Sequence, residues 1–396
     1  MSIRGKAAIV GIGETPPDRL GTKPGEPRRS VQDYLAAAMR LALIDAGLTK
    51  RDFDGQGLGA IYSAGESQSF WPAEVADILG LSPGLLLAGG QGGASAVSLL
   101  GQASAAIASG LIELALIVSA DAPFSDPVTG SQASNTRDFE VPFGAMGPNS
   151  KIALVMRRHM HEYGTTLEQL GRIAVASRYH ASLNPDAYLR APITIDDYKN
   201  SRLIADPIRL LDCVMPANGG KAFILASAER ARRLSRPPVY LRGFGEKDNP
   251  SCGPRANSDA LVMGIADAGR AAMAMADVHR RDVNFLQLYD DYIVIVLMQI
   301  EDLGFCRKGD GAFFDRTDFT CRGALPIQTG GGMINCGQPS TAGGMLHVTE
   351  AVRQLRHDGG ARQVPNAKVG IATGVGAVAY GKNLSCNVVA VLGTEP

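Results

Sequence analysis

Two tyrosines and two aspartates stand next to one another at Tyr289, Asp290, Asp291 and Tyr292. A phenol beside a carboxylate can act as an acid, a base or an oxyanion donor when its surroundings shift a free pKa of about 10. The structural alternative is that one tyrosine packs in the core while one carboxylate caps a strand end. We take Tyr289 as the first candidate for proton transfer, and we leave Asp290 open between proton transfer and a structural cap.

Six cysteines are scattered along the chain without the Cys-x-x-Cys spacing of a zinc site. They are Cys213, Cys252, Cys306, Cys321, Cys336 and Cys386. This pattern predicts neither a disulfide framework nor a metal site, and it favours a reducing, cytoplasmic location. We expect Cys336 to be a small buried residue and Cys306 to be structural, and neither to be a nucleophile.

The histidines show no metal-binding pattern. His159 and His161 are two residues apart on a predicted helix, so they point to different faces and cannot hold one ion together. His180 and His347 are isolated. For such a histidine, a hydrogen-bonded structural position is the ordinary interpretation.

Composition argues against several classes of protein. The 396 residues carry 39 Lys and Arg against 39 Asp and Glu, so the basic excess of a nucleic-acid binder is missing. No apolar run reaches the ~18–20 residues of a membrane span. The first residues pass directly into a short apolar strand, which predicts that there is no secretory leader. The length suggests two or three domain-sized units.

Strands and helices alternate in the first third of the chain. A helix is predicted over Val31–Ala46, between a Ser30 cap and Gly47. A glycine-rich turn, Gly89–Gly93, leads into a helix of small residues. The continuous apolar run Leu111–Ser119 predicts a strand that is buried on both faces.

The middle of the chain interrupts this alternation, which restarts after Pro237. We therefore divide the chain into a first half, residues 1–121, an inserted segment, residues 122–235, and a second half, residues 236–396. Strand character returns near 221–235, where the chain is expected to complete the sheet of the first half. The second half repeats the order of strand, glycine-rich turn and small-residue helix, which implies stacked α/β layers.

Four glycine-marked segments follow in an order that resembles the thiolase superfamily, most closely the sterol-carrier-type thiolases. They are Gly92-Gly93-Ala94-Ser95-Ala96, Tyr289-Asp290-Asp291-Tyr292 leading into Glu301-Asp302-Leu303-Gly304-Phe305-Cys306, Gly330-Gly331-Gly332 through Gly337-Gln338-Pro339, and Ala372-Thr373-Gly374-Val375-Gly376. Each segment alone is a weak signal, because glycine-rich turns are common. Their order along the whole chain predicts a thiolase-like, five-layered α/β/α/β/α fold of two similar halves with an inserted loop domain.

The resemblance places the catalytic positions of thiolases on residues that cannot do thiolase chemistry. The nucleophilic cysteine at the start of a buried helix corresponds to Gly93, or at most to its neighbour Gly92. The histidine of Gly-His-Pro corresponds to Gln338, which can donate a hydrogen bond but cannot accept a proton near neutral pH. The late cysteine corresponds to Ala372 or Thr373. Ping-pong acyl transfer needs an activated nucleophile, so it is not expected here.

Cysteine-lacking relatives of the sterol-carrier-type thiolases include retro-aldolases that cleave 3-hydroxyacyl-CoA side chains. That resemblance implies proton transfer by Tyr289, Asp290 and Tyr380, and oxyanion stabilisation by Gln338. A tyrosine packed at a loop is the alternative for Tyr380. Substrate or oxyanion binding is expected at the backbone of six glycines, Gly92, Gly93, Gly331, Gly332, Gly374 and Gly376. Coenzyme A is then part of the substrate, and no tightly bound cofactor is expected.

Two other functions stay open. One is an acetyl-CoA acyltransferase that uses a different cysteine, and the other is a non-catalytic subunit that binds acyl-CoA in a complex. The related retro-aldolases work with a small, zinc-containing OB-fold protein, so the resemblance implies a partner of that kind. Thiolase subunits pair through their first-half sheets, which implies a homodimer or a dimer of dimers.

Overall fold

The computed structural model describes residues 2–61, 70–126, 141–144, 147–249, 259–379 and 383–396. The strands in these ranges are β1 Ala7–Glu14, β2 Gly57–Ile61, β3 Leu85–Gly89, β4 Leu114–Asp121, β5 Leu203–Ala205, β6 Ile208–Arg209, β7 Gly219–Ser227, β8 Val239–Asp248, β9 Phe285–Gln287, β10 Val369–Ala379 and β11 Asn383–Gly393. None of the helices in the described ranges has the length and apolar character that crossing a membrane requires.

Twelve α-helices lie in the same described ranges. They are α1 Val31–Ala46, α2 Trp71–Leu79, α3 Ser95–Ala108, α4 Gly147–Tyr163, α5 Leu167–Leu183, α6 Ile195–Asn200, α7 Ala228–Ala231, α8 Ile265–Ala276, α9 Ile293–Asp302, α10 Gly311–Arg316, α11 Gly332–Cys336 and α12 Met345–Leu355. A short 3₁₀ turn at Gly92–Ala94 precedes α3, and another at Ser340–Gly344 precedes α12.

The two halves of the chain repeat one strand order. The main sheet runs β3-β2-β4-β7-β1-β8-β11-β10-β9, and β1 meets β8 at only two residue pairs. From the edge strand β3 to that junction, the five first-half strands lie side by side in the order β3-β2-β4-β7-β1. Counted by their order along the chain, these are the third, second, fourth, fifth and first strands. The second half shows the same order when Ile327, which forms a parallel bridge with Leu286, is counted as its third strand. The similarity of the halves is therefore topological.

Five layers follow from where the apolar side chains pack. Helices α1 and α2 cover the outer face of the first-half strands in one buried cluster. Helices α3 and α12 contact each other and lie between the two groups of strands in a second cluster. Helices α8 and α9 cover the outer face of the second half in a third cluster. The predicted α/β/α/β/α fold of the thiolase type is confirmed.

Local sequence signals explain where the first-half elements begin and end. Ser30 and Asp33 form a reciprocal capping box at the start of α1, and Gly47 ends the helix at a φ of 67°. All residues of β4 are buried, as its apolar sequence predicted. The strand begins at Leu114 rather than at Leu111, because Leu111 is 71% exposed and still belongs to the turn after Gly110.

The described part of residues 122–235, predicted above as an inserted segment, contacts both halves of the chain. Strand β7 lies between β4 and β1 and so belongs to the first-half sheet. Helix α5 instead contacts α9, α10 and α11 of the second half. Its Arg178 side chain donates a hydrogen bond to the Asn335 side chain of α11. The segment thus supports the loop that carries the third glycine-marked motif.

Candidate active site

The start of α3 has no room for a side chain at the predicted nucleophile position. Gly92 lies in the left-handed region at a φ of 56°, and Gly93 follows it in the 3₁₀ turn. A Cβ atom on Gly93 would lie 2.0 Å from Cζ and 2.1 Å from the hydroxyl oxygen of Tyr289. The Tyr289 ring therefore occupies the space that a side chain at position 93 would fill.

Tyr289 is held at its backbone by the second half. Its N–H donates to Oγ1 of Thr373 at 2.9 Å, and its carbonyl accepts from Nε2 of Gln299 at 2.7 Å. Thr373 lies on β10 and Gln299 on α9, so the end of the β9 strand is fixed on two sides. Burial, followed by the nearby Asp291, raises the pKa of the Tyr289 phenol well above its usual value. The phenol is therefore protonated at neutral pH.

Asp291 and Gln338 meet Tyr289 at its hydroxyl group. The phenol donates a hydrogen bond to the Asp291 carboxylate. Nε2 of Gln338 lies 3.5 Å from the phenol oxygen and 3.4 Å from Oδ1 of Asp291. Burial raises the pKa of Asp291 to about 7. Asp291 and Gln338 both remain partly exposed, so these two side chains are open to a bound molecule.

Asp290 lies below this group of side chains. It is 1% exposed, and its carboxylate accepts the N–H groups of Met333 at 2.9 Å and Ile334 at 3.4 Å. A Cβ atom on Gly332 would lie 2.0 Å from Oδ2 of Asp290, so this glycine lets the carboxylate reach α11. Burial raises the pKa of Asp290 to about 8. The structure thus places Asp290 in the capping position that the sequence left open.

The sequence led us to predict Asp290, rather than Asp291, as the carboxylate partner of Tyr289. Side chains alternate along an extended strand end, so residues 289 and 291 point to one side and residue 290 to the other. This period of two was the signal in the sequence that favoured Asp291. Tyr292 also points elsewhere, and its hydroxyl donates to the side chain of Asn149 on α4.

The remaining predicted glycines are positions of close backbone approach. On β10, a Cβ on Gly374 would lie 2.8 Å from Cα of Ala94, and a Cβ on Gly376 would lie 2.0 Å from the carbonyl oxygen of Gln91. Strand β10 therefore packs directly on the turn that precedes α3. Gly331 adopts a φ of 104° at the start of α11. Tyr380 lies outside the described residues.

The described cysteines are poor nucleophiles. Cys336 is buried, donates its S–H to the carbonyl of Gly330 at 3.1 Å, and has its pKa raised to about 12 by burial. Burial also raises the pKa values of Cys213 and Cys306 to about 12. Since the thiolate is the reactive form, these thiols are unreactive near neutral pH. Cys252 lies outside the described residues.

The expectation of hydrogen-bonded histidines was wrong for His180, whose ring nitrogens make no hydrogen bond of good geometry with the described residues, and also for His347. Neither of its ring nitrogens makes a hydrogen bond within the described part of the chain, although the side chain is 1% exposed. Burial and the charge of Lys221 lower the pKa of His347 to about 3, so the ring is neutral. The sequence carried no sign of this, because the groups around the ring come from distant parts of the chain.

The site therefore joins a phenol, a carboxylate and an amide donor at the start of a central helix. A carboxylate with a pKa of about 7 can exchange protons at neutral pH. The amide of Gln338 can donate to a developing oxyanion. Together with the five-layered fold, this defines a thiolase-fold protein in which a tyrosine ring fills the space beside Gly93.

Comparison with known proteins supports that class. Residues 253–394 match the family model described as thiolase C-terminal domain-like. The steroid side-chain-cleaving aldolase of Thermomonospora curvata is 33% identical, with 89% of this chain and 90% of that protein covered. The acetyl-CoA acetyltransferase of Methanothermobacter thermautotrophicus is 31% identical, with 93% and 96% covered. The chain belongs to the thiolase superfamily.

A solved structure agrees with this assignment. The Ltp2-ChsH2(DUF35) aldolase has a TM-score of 0.85 and 31% identity, with 99% of this chain and 98% of that chain covered. The relatives include both an aldolase and an acetyltransferase at similar identity. Overall sequence similarity therefore does not distinguish the two reactions. The side chains of the site have to be compared with what each reaction needs.

Proposed function

We propose that this protein catalyses retro-aldol cleavage of a 3-hydroxyacyl-CoA or a closely related thioester. The observation that carries the proposal is the Tyr289 ring in the space of a Gly93 side chain. Acyl transfer needs a nucleophile at that place. A retro-aldol step needs only a base for the β-hydroxyl and donors for the enolate oxygen. The relative named as a side-chain-cleaving aldolase supports the same reaction.

In the proposed reaction, Asp291 and Tyr289 move one proton. Ionised Asp291 accepts the proton of the substrate hydroxyl, directly or through the Tyr289 phenol. The Cα–Cβ bond then breaks, a carbonyl product leaves, and the electron pair enters the thioester as an enolate. Gln338 and the backbone N–H of Gly93 stabilise the enolate oxygen. Asp291 returns its proton to Cα through Tyr289, which restores the site and releases the shortened acyl-CoA.

Asp290 has a supporting role in this proposal. Its carboxyl group joins the residues that follow β9 to the start of α11, and α11 leads through Gly337 to Gln338. The proton donor and the oxyanion donor are thereby held in one frame. Coenzyme A enters as part of the substrate, and no step of the scheme needs a tightly bound cofactor.

We infer that the inserted segment, residues 122–235, covers the CoA-binding face between the two halves, 1–121 and 236–396. The contacts of α5 with α11, the helix that leads to Gln338, support a position of this segment beside the candidate site. We also propose a zinc-containing OB-fold partner, because the name of one similar aldolase joins Ltp2 to ChsH2(DUF35).

A homodimer, or a dimer of dimers, is the proposed assembly. Strand β3 ends the sheet on the first-half side, and its Leu86 is 44% exposed. An exposed, apolar edge strand is a template on which a strand of another chain can pair. Sedimentation at micromolar concentration is expected to show a dimer or larger species. A stable monomer would contradict this assembly.

The test of function is turnover of a 3-hydroxyacyl-CoA, with and without a DUF35-type partner. Release of a carbonyl product and a shortened acyl-CoA is expected. Transfer of an acyl group to a cysteine, trapped by mass spectrometry, would favour the acyltransferase instead. If the wild type binds CoA thioesters but turns none over with the partner present, the protein is a binding subunit.

A further inference from the structure

His347 lies in the first turn of α12 and contacts two residues of the candidate site, Asp290 and Tyr289. Its Nε2 atom is 3.4 Å from Oδ1 of Asp290. Its ring meets the Tyr289 ring edge-on, with 5.8 Å between the centroids. The side chain is 1% exposed, and neither nitrogen makes a hydrogen bond with the described residues.

Such a histidine is a poor choice for stability alone. A buried polar group without a hydrogen bond destabilises the fold, because it has lost the water that solvates it in the unfolded chain. The neighbours Leu346 and Val348 are buried and apolar, and a leucine of similar volume would avoid this cost at position 347. An imidazole at this position therefore calls for an explanation in the site that it touches.

The groups around the ring limit what it can do. The positive charge of Lys221 on β7 acts on the ring. Tyr289 and Asp290, which follow β9, lie against it. Burial and Lys221 together oppose a second proton on the ring. A neutral imidazole has one N–H group and one acceptor nitrogen. It can therefore donate to ionised Asp290 or accept from protonated Asp290.

We propose that His347 is a positioning residue, which shares one hydrogen with Asp290 and holds the Tyr289 ring against Gly93. The proposal rests on the function proposed above. Asp290 already accepts two N–H groups of α11 and is hydrogen-bonded to the Gln328 side chain. When Asp290 is protonated, Nε2 of His347, which lies 3.4 Å from Oδ1, is placed to accept its hydrogen. His347 touches the ring of Tyr289 at the same time. It acts through these two residues and contacts no reacting atom.

Three variants separate this role from plain packing. His347→Leu keeps the volume but removes both nitrogens, and a shift of the ring by about 1 Å is expected to lower kcat roughly 10- to 100-fold with little change in KM. His347→Gln keeps a donor and an acceptor, and is expected to stay within about threefold of wild type. His180→Leu is the matched control.

His180 suits this control because it is also buried and neutral. It is 0% exposed, its nitrogens make no hydrogen bond of good geometry, and burial lowers its pKa to about 4. Its substitution is expected to leave kcat within about twofold. His180→Leu is expected to melt close to wild type, since it removes a polar group that has no hydrogen bond of good geometry with the described residues. His347→Leu leaves Asp290 without its proposed partner, so a melting curve is recorded beside its turnover.

Three results would overturn the proposal. They are a wild-type kcat in His347→Leu, a His347→Leu defect that appears in KM rather than in kcat, and a His347→Gln variant as slow as His347→Leu. Should His347→Leu fail to fold, His347→Phe supplies the same comparison. A crystal structure of the variant tests positioning without any assay, and an unmoved Tyr289 ring would count against it. A wild type without lyase activity would instead refute the proposed function, which keeps the two failures apart.

Discussion

Gly93→Ala is the substitution that tests the replacement of the nucleophile by the Tyr289 ring. The new Cβ would lie 2.0 Å from Cζ of Tyr289. Unstrained carbon atoms stay ~3.5–4.0 Å apart, so the ring has to move by about 1.5 Å. Overpacking of this kind costs ~1–3 kcal/mol of stability. Displacement of a catalytic hydroxyl by 1 Å or more costs about 10²-fold in rate.

We therefore expect Gly93→Ala to lower both the melting temperature and kcat. The control is Gly90→Ala on the same turn, because a Cβ atom added there has no other atom within 4 Å. This control variant should have the melting temperature and kcat of the wild type. Combining Gly93→Ala with Tyr289→Ala removes the clash. Measured by thermal melting, the glycine substitution should then cost less than about 0.5 kcal/mol, since the interacting partner is gone. An equal cost in both backgrounds would refute this account of the clash.

Three further results are expected. Tyr289→Phe should lower kcat ~10²–10⁴-fold, and Gln338→Ala should lower it ~10²–10³-fold. The melting curve and the CoA affinity measured by calorimetry should not change in either variant. Wild-type turnover in both variants would place the site elsewhere. Because Asp291 has to be ionised to act as the base and its pKa is about 7, kcat/KM should rise with pH through about 7, and Asp291→Asn should abolish that rise. Iodoacetamide should leave activity nearly intact and Cys336→Ser should cost less than about tenfold, whereas rapid, substrate-protected inactivation would revive the acyltransferase.

Several features of this protein could be predicted from the sequence because they are local. The capping box of Ser30 and the left-handed Gly47 bound a helix by short-range hydrogen bonds and backbone sterics. The uninterrupted apolar sequence of β4 is a direct sign of a strand buried on both faces. The order of the glycine-marked segments indicated the layers, and the glycine at position 93 already argued against a cysteine nucleophile.

Other features depend on contacts between distant residues, which no local period encodes. Only the tertiary structure brings the Tyr289 ring into the space beside Gly93, because the two residues come from different halves of the chain. The choice of Asp291 over Asp290 depended on which side of the strand end faces Gln338. The contacts of His347 with Asp290 and Tyr289 join α12 to the residues that follow β9. The residue types determine what chemistry is available. The packing of the two halves determines which of these side chains meet, and only side chains within a few ångströms of one another can share hydrogen bonds and shift each other's pKa.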